Sequence, residues 1–385
     1  MDQTCVGPLG LVAMPGCLEL GQKVNDYLTK WHNSPEVESA FHVPLNSARQ
    51  NYLIRNTCPR FSNGEAKGMI HESVRGYDLY FMCDVGNYGT HFSMYGQSIP
   101  MSPDNHFQDL KRLIAAAGGK AKRINVIMPM LYESRQHRRL SRESLDCAMA
   151  LQELVAMGVD NIITFDAHDP RVQNAIPHHG FESVYPTYQM LKGLLATAPD
   201  LCVDKDHMMV VSPDEGGMTR NIYYAMVMGL DMGMFYKQRD FSTIVNGRNP
   251  IVAHEYLGND LEGKDILITD DMLATGDSVL EVAAELKKRK ARRIFVGITF
   301  GLFTQGLERF DRAYEEGLID RVLATNLTYR NPELATRPWF HEVDLSKYVA
   351  YIIATLNHDS TISELLTPNK RIEALLKKHR EGRQP

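Results

Sequence analysis

Short apolar, β-branched runs alternate along the chain with stretches whose apolar residues recur every three or four positions. LGLVAMPG (9–16) predicts a strand and its turn, and ELGQKVNDYLTKW (19–31) then has helical periodicity. DLYFMCD (78–84), RINVIMP (123–129), NIITFD (161–166), MMVVSPD (208–214), DILITDD (265–271) and RRIFVGITF (292–300) predict further strands. Helical patterns lie between them, such as RESLDCAMALQELVAMG, where Gly158 suits a C-cap. This alternation argues a parallel α/β sheet. Residues 32–58 and 86–104, with scattered Pro, Gly, Asn and Tyr, predict loops or insertions.

A weak internal repeat refines that picture. INVIMPMLYESR (124–135) and MVVSPDEGGMTR (209–220) are each a buried strand running into a polar turn. IITFDAHDP (162–170) and ILITDDMLATGDS (266–278) are each a strand ending in Asp. Two related α/β domains explain this order, and all four polar turns fall at strand carboxyl ends, where such sheets bind ligands. The expected division is 1–185 and 186–359, with a C-terminal helix, 360–385, packing back on the first domain.

Composition is compatible with this reading and excludes some others. A chain of 385 residues, 44% apolar and 23% charged, suits two ordinary domains with real cores. A net charge of −5 argues against a general nucleic-acid binder. The basic tail KKHREGRQP (377–385) is expected to be a solvated helix end. The cysteines, Cys5, Cys17, Cys58, Cys83, Cys147 and Cys202, form no CxxC and suit neither a zinc site nor a disulfide framework; reduced thiols in a cytoplasmic protein are the expectation. The apolar run Leu9 to Met14 is too short for a signal peptide, and no run of about 18 apolar residues predicts a membrane span.

The sharpest chemical signal is ILITDDMLATGDS followed by VLEVAAELKKRK. An apolar strand delivers Asp270 and Asp271 to its carboxyl end, and a Gly-containing turn then opens a helix with apolar Val279, Val282, Ala283 and Leu286. Backbone N–H groups at such a helix start make a phosphate cradle, to which Thr275 and Ser278 add hydroxyls. Paired carboxylates repel a phosphate unless they face sugar hydroxyls or a metal. The GxxxxGK[ST] spacing of a Walker A loop is absent. The alternative is an ordinary strand–turn–helix with a capping Ser.

This turn resembles the ribose-phosphate motif of type I phosphoribosyltransferases and phosphoribosyl pyrophosphate synthetases. Other segments resemble the synthetase (ribose-phosphate diphosphokinase) family in order and spacing, from about residue 9 to about residue 366. PRFSNGEAK (59–67) is similar to its FS(D/N)xE segment, SVRGYDLY (73–80) to its VRG-D strand entry, and MPMLYESRQHRR (128–139) to its RQD turn. FDAHDPRVQNAI (165–176) is similar to DLHA-xQ-x-Q, VVSPDEGGMTR (210–220) to VVSPDxGG-xxR, and FYKQR (235–239) to KxR on a mobile flap.

The resemblance implies two tandem phosphoribosyltransferase-like domains, each a mostly parallel sheet flanked by helices, with a flap hairpin. It implies transfer of pyrophosphate from ATP to ribose 5-phosphate with Mg²⁺, and a homo-oligomer built from dimers, up to a hexamer. ATP would be held by Phe61, Asn63 and Glu65 of a neighbouring subunit and by Arg135, Gln136 and His168. Asp214, Glu215, Gly216 and Gly217 would form the pyrophosphate loop, with His168 and Asp214 at the metal. Asp270, Asp271, Ala274, Thr275, Gly276, Asp277 and Ser278 would bind ribose 5-phosphate, and Lys237 and Arg239 would be the catalytic cations. The residue types suit these roles: Arg135 offers a planar donor fork, Gln136 hydrogen-bonds a base or ribose, and Phe61 offers a stacking surface. The chain departs from the pattern at His137, where the family has Asp, at Glu215, where a small residue is usual, and at Ala274, where many synthetases have an acid. A phosphoribosyltransferase would need only one such domain. A non-catalytic synthetase-associated regulator is expected to lose the flap cations or the acidic pair.

Overall fold

Leu9–Ala13 (β1) is buried along its whole length, as a parallel strand covered on both faces must be. A computed structural model describes residues 5–33, 51–239 and 251–382. After β1 come Leu18–Asn33 (α1), Asn56–Thr57 (β2), Met69–Ile70 (β3), Asp78–Met82 (β4), His91–Met94 (β5), Gln97–Pro100 (β6) and Pro103–Ala117 (α2). Arg123–Ile127 (β7), Asp146–Ala156 (α3), Asn161–Phe165 (β8) and Gly180–Val184 (β9) follow. The sheet order is β1-β4-β7-β8-β9, and every pair in it is parallel.

Residues 86–104 are more ordered than their composition predicts. β5 and β6 form an antiparallel hairpin closed by Tyr95 and Gly96, at φ 51° and 75°. Two successive positive φ values are what a tight hairpin turn requires, but Tyr at the first of them is not the usual signal.

The chain divides after Tyr185 into two units. The second holds Thr187–Thr197 (α4), Met208–Ser212 (β10), Met218–Met228 (α5), Asp231–Arg239 (β11), Ile251–Leu257 (β12), Asp265–Leu273 (β13), Asp277–Lys288 (α6), Ile294–Gly301 (β14), Glu308–Glu315 (α7), Arg321–Thr325 (β15) and Phe340–Val343 (β16). Its sheet order is β12-β11-β10-β13-β14-β15-β16, parallel except for β12 at the edge. Strand order reverses between β10 and β13. Such a reversal opens a crevice beyond the strand carboxyl ends.

The C-terminal segments are shared between the units: of the stretch 360–385, expected on the first, residues to Thr367 fall in the first and 368–385 in the second. Ser346–Asn357 (α8) and Ser363–Leu366 (α9) belong to the first unit. Trp31 of α1 stacks on Tyr351 of α8 at 4.4 Å. Asn369–Arg380 (α10) belongs to the second, because it buries Ile372, Leu375 and Leu376 and packs on α4 and α5. Asn369 Oδ1 accepts from the Tyr223 hydroxyl at 2.7 Å, and Arg371 lies over the Tyr188 ring at 4.4 Å.

Both units repeat one polar device at the amino ends of their strands. In the first, the fully buried Asp78 opens β4 and accepts from Arg123 Nε and Nη2 at 2.8 Å. Asp160, just before β8, accepts from the Ile124 N–H at 2.8 Å. In the second, the fully buried Asp265 opens β13 and accepts from Arg293 Nε at 3.1 Å and Nη2 at 2.8 Å, while Asp320, just before β15, accepts from the Ile294 N–H at 3.0 Å. The repeat therefore runs β4-β7-β8 onto β13-β14-β15, two strands out of phase with the pairing the sequence suggested. Buried strands ending in polar turns look alike wherever they fall, so local strings carry no phase. The long-range ion pairs do. β11 and β12 are then an added hairpin beside β10.

Candidate active site

The second unit's site is assembled where β10 and β13 end. After Ser212 the chain turns through Pro213, Asp214, Glu215, Gly216 and Gly217 into α5. The Asp214 carboxylate accepts from the Gly217 N–H at 3.2 Å, and the Ser212 hydroxyl donates to the Asp214 carbonyl at 2.7 Å. A Cβ on Gly216 would stand 3.2 Å from Asp214 Oδ1, and one on Gly217 3.1 Å from Ser212 Oγ, so side chains here would press on the turn. Asn221, fully buried on α5, fastens this turn to β13. Its amide nitrogen donates to the Gly217 and Thr269 carbonyls at 2.9 and 3.0 Å, and its oxygen accepts from the Thr269 hydroxyl at 2.9 Å.

Asp270 and Asp271 stand within β13, just before its last two residues, rather than beyond it. Arg220 of α5 lies 3.2 Å from Asp270 Oδ1 and 3.6 Å from Asp271 Oδ1. One guanidinium thus serves two carboxylates, with Asp214 adding to the negative field. Burial first, and the Asp271 charge second, push the Asp270 carboxyl well above the ordinary range. Three carboxylates gathered at one strand end suit a cation or sugar hydroxyl donors.

The turn Ala274–Ser278 follows. Gly276 adopts φ 84° and opens α6, whose buried Val279, Val282, Ala283 and Leu286 fix it to the core. Each buried Val or Leu stabilises by roughly 1.5–3 kcal/mol relative to exposure. Thr275 Oγ1 accepts from the Asp277 N–H at 3.4 Å, and the Ala274 carbonyl accepts from the Thr304 N–H at 2.9 Å. The Thr275 hydroxyl, then the ion pair with Arg309, holds the Asp277 carboxyl below its usual range. Lys237 and Arg239 lie within β11, in register with His254 and Ile251 of β12. Residues 240–250, where the sequence suggests the tip of a flap hairpin, lie outside the described residues.

The first unit holds a second group of the expected residues. Arg135 is exposed on the turn after β7. Gln136 donates from Nε2 to the Ser144 carbonyl at 2.7 Å and the Arg138 carbonyl at 3.3 Å. His168 is exposed on the turn after β8, two residues past Asp166, which takes φ 43°. The His137 ring lies 5.4 Å from that of His168, so the two turns meet. Phe61 is half exposed on a tight turn where Asn63 Nδ2 donates to Glu65 Oε2 at 2.8 Å. That turn is anchored to α2 by Arg60, which pairs with the buried Asp109 through two 2.8 Å hydrogen bonds.

Asn221, Arg309 and Phe310 were not singled out from sequence. Nothing local marks them, because each acts across at least 30 residues or on a turn in another element. Arg220 closes the VVSPDxGG-xxR pattern, and that position was the available signal.

The N-terminal domain of ribose phosphate pyrophosphokinase matches residues 9–158, and the phosphoribosyl transferase domain matches residues 190–309. A ribose-phosphate pyrophosphokinase of Vibrio cholerae is 26% identical over 315 residues, covering 80% of this chain and 90% of that protein. One from Mycoplasma pneumoniae is 26% identical over 353 residues, covering 88% and 98%. The fold matches a crystal structure of phosphoribosylpyrophosphate synthetase from Mycobacterium smegmatis with a TM-score of 0.70, at 21% identity, over 91% of this chain and 99% of that one.

Proposed function

Because the chain belongs to the ribose-phosphate pyrophosphokinase family, we propose that it transfers the β,γ-diphosphoryl group of ATP to ribose 5-phosphate. The C1 hydroxyl oxygen attacks the β-phosphorus, the bond from that phosphorus to the α–β bridging oxygen breaks, and AMP leaves. The hydroxyl proton passes to solvent. The observation that carries this reading is the meeting of the Asp214–Gly217 turn and the Asp270–Asp271 pair, bridged by Arg220 and Asn221, at the reversal in strand order. The first unit supplies what a simple phosphoribosyltransferase does not need: the Arg135–Gln136 and His168 turns, brought together by His137.

The roles follow from charge and geometry. The Ala274–Ser278 turn holds the 5-phosphate on backbone N–H groups and hydroxyls at the start of α6. Arg309 offsets the negative charge that Asp277 places beside that anion. Asp270 and Asp271 accept hydrogen bonds from the ribose hydroxyls, while Arg220 keeps the pair from repelling the sugar phosphate. Backbone at Gly216 and Gly217 receives the transferring pyrophosphate. Arg135, Gln136 and His168 hold ATP, with Phe61, Asn63 and Glu65 arriving from a neighbouring copy. Lys237 and Arg239 neutralise charge that develops during transfer.

Among the described residues no three ligand-type side chains form a metal cage. Mg²⁺ needs none, since it takes one or two carboxylates and completes its shell with phosphates and water. The oxygen donors Asp214, Asp270 and Asp271 of the second unit fit it, and His168, on the first unit, would meet the nucleotide phosphates. When bound, the ion would neutralise the phosphates and raise the electrophilicity of the β-phosphorus. No helix among the described residues is long and apolar enough to cross a membrane, and all six cysteines are unpaired. Both features suit the cytoplasmic setting we assign. The test is nucleotide analysis with and without ribose 5-phosphate. AMP formed only with the sugar phosphate supports the proposal, and ADP as sole product overturns it. No AMP at all favours the non-catalytic regulator.

A further inference from the structure

The contact between the two nucleotide turns involves two departures from the family pattern rather than one. At position 137 this chain has His where the RQD turn has Asp, and at position 169 it has Asp where the DLHA stretch has Ala. The structure places these two residues against each other: His137 Nε2 is 3.6 Å from Asp169 Oδ2, with their side chains 15% and 12% exposed. His168 lies between them in sequence and packs its ring beside that of His137. We propose that this corner keeps a carboxylate but draws it from the turn after β8 instead of the turn after β7, so that His137 and Asp169 are a coupled exchange that positions His168.

Several observations support the exchange. Asp169 is fixed in place: Arg171 donates to it from Nε at 2.9 and 3.1 Å, from Nη2 at 2.6 Å and from its backbone N–H at 2.9 Å. Four hydrogen bonds from Arg171 thus converge on the Asp169 carboxylate. The site across from it must then accept a negative charge. A His does so and an Asp does not, because two carboxylates at this spacing repel. His137 Nδ1 is buried with no hydrogen-bond partner among the described residues, so the Asp169 contact and the His168 ring orient it. Restoring the family's usual residue at one position alone should therefore harm this protein.

This inference rests on the nucleotide-site reading for its kinetic arm, but its stability arm does not. The experiment is a double-mutant cycle of His137→Asp, Asp169→Ala and the pair together, read in KM for ATP, kcat and chemical denaturation. Each single substitution should raise KM for ATP about tenfold, and the double variant should return to within about threefold of wild type, a coupling of ordinary size for side chains in contact. His137→Gln, which keeps a donor at the Nε2 position, should rescue most of the loss. The denaturation midpoint should show the same recovery in the double variant. Additive losses, or single variants that match wild type, overturn the exchange. Recovery of stability without recovery of KM overturns the positioning of His168. A wild-type protein that makes no AMP defeats the functional reading instead, while the denaturation cycle still decides whether positions 137 and 169 are exchanged.

Discussion

Gly276→Ala probes the sugar-phosphate turn at its tightest point. Gly276 has φ 84°, and a Cβ there would stand 2.4 Å from Phe310 Cζ and 2.7 Å from Cε2. Two costs follow. A left-handed conformation costs a residue with a Cβ about 1–2 kcal/mol. Overpacking a filled site costs about 1–3 kcal/mol, and Phe310 has little room to move, since its ring lies 5.1 Å from that of Phe303 and 5.4 Å from that of Trp339. Alanine also restricts the unfolded chain, which offsets about 0.4–1 kcal/mol. The net loss should be about 2–4 kcal/mol. Gly76→Ala is the control, because Gly76 has φ 77° and nothing within 4 Å of its Cβ position. It carries the conformational cost without the collision, so roughly 1 kcal/mol is expected. Urea denaturation measures both, and KM for ribose 5-phosphate should rise only in Gly276→Ala. Equal losses in the two variants would refute the role given to Phe310 in shaping the turn.

Asp78→Ala should cost about 3–5 kcal/mol, measured by urea denaturation, because it strands a largely buried Arg123 that Asp78 now pairs. Lys237→Ala should lower kcat by about 10²–10³ with a smaller change in KM for ATP, while Thr275→Ala should chiefly raise KM for ribose 5-phosphate; a pure KM effect at Lys237 would make it a nucleotide anchor. Stability should also fall in acid. Arg171 holds Asp169 at about 2, and Arg292 and Arg293, against the upward push of burial, hold Asp265 below its usual value. Both contributions are present above the unfolded carboxylate value of about 4 and are lost as pH falls through the lower folded values. Urea midpoints unchanged from pH 5 to about 2.5 would contradict this.

The strands were legible because parallel strands buried on both faces leave continuous apolar runs, as in MMVVS and DILIT. The acidic and glycine turns were legible because their chemistry is local. What escaped depends on distance along the chain. Asn221 reaches Thr269 across 48 positions, and Phe310 underlies a turn more than 30 residues earlier. The phase of the repeat was misjudged for the same reason, since Asp78–Arg123 and Asp265–Arg293 link strands that no single window spans. The C-terminal helix was misplaced because Ile372, Leu375 and Leu376 specify a buried face but not which unit covers it.

In the proposed reaction a diphosphoryl group moves intact to the sugar. Phosphorus NMR of a reaction containing ATP, ribose 5-phosphate and Mg²⁺ tests it most directly. AMP should appear together, one for one, with a diphosphate whose inner phosphorus couples to the C1 proton of the ribose. ADP with a single phosphate on C1, or AMP with free pyrophosphate and unchanged ribose 5-phosphate, would contradict it.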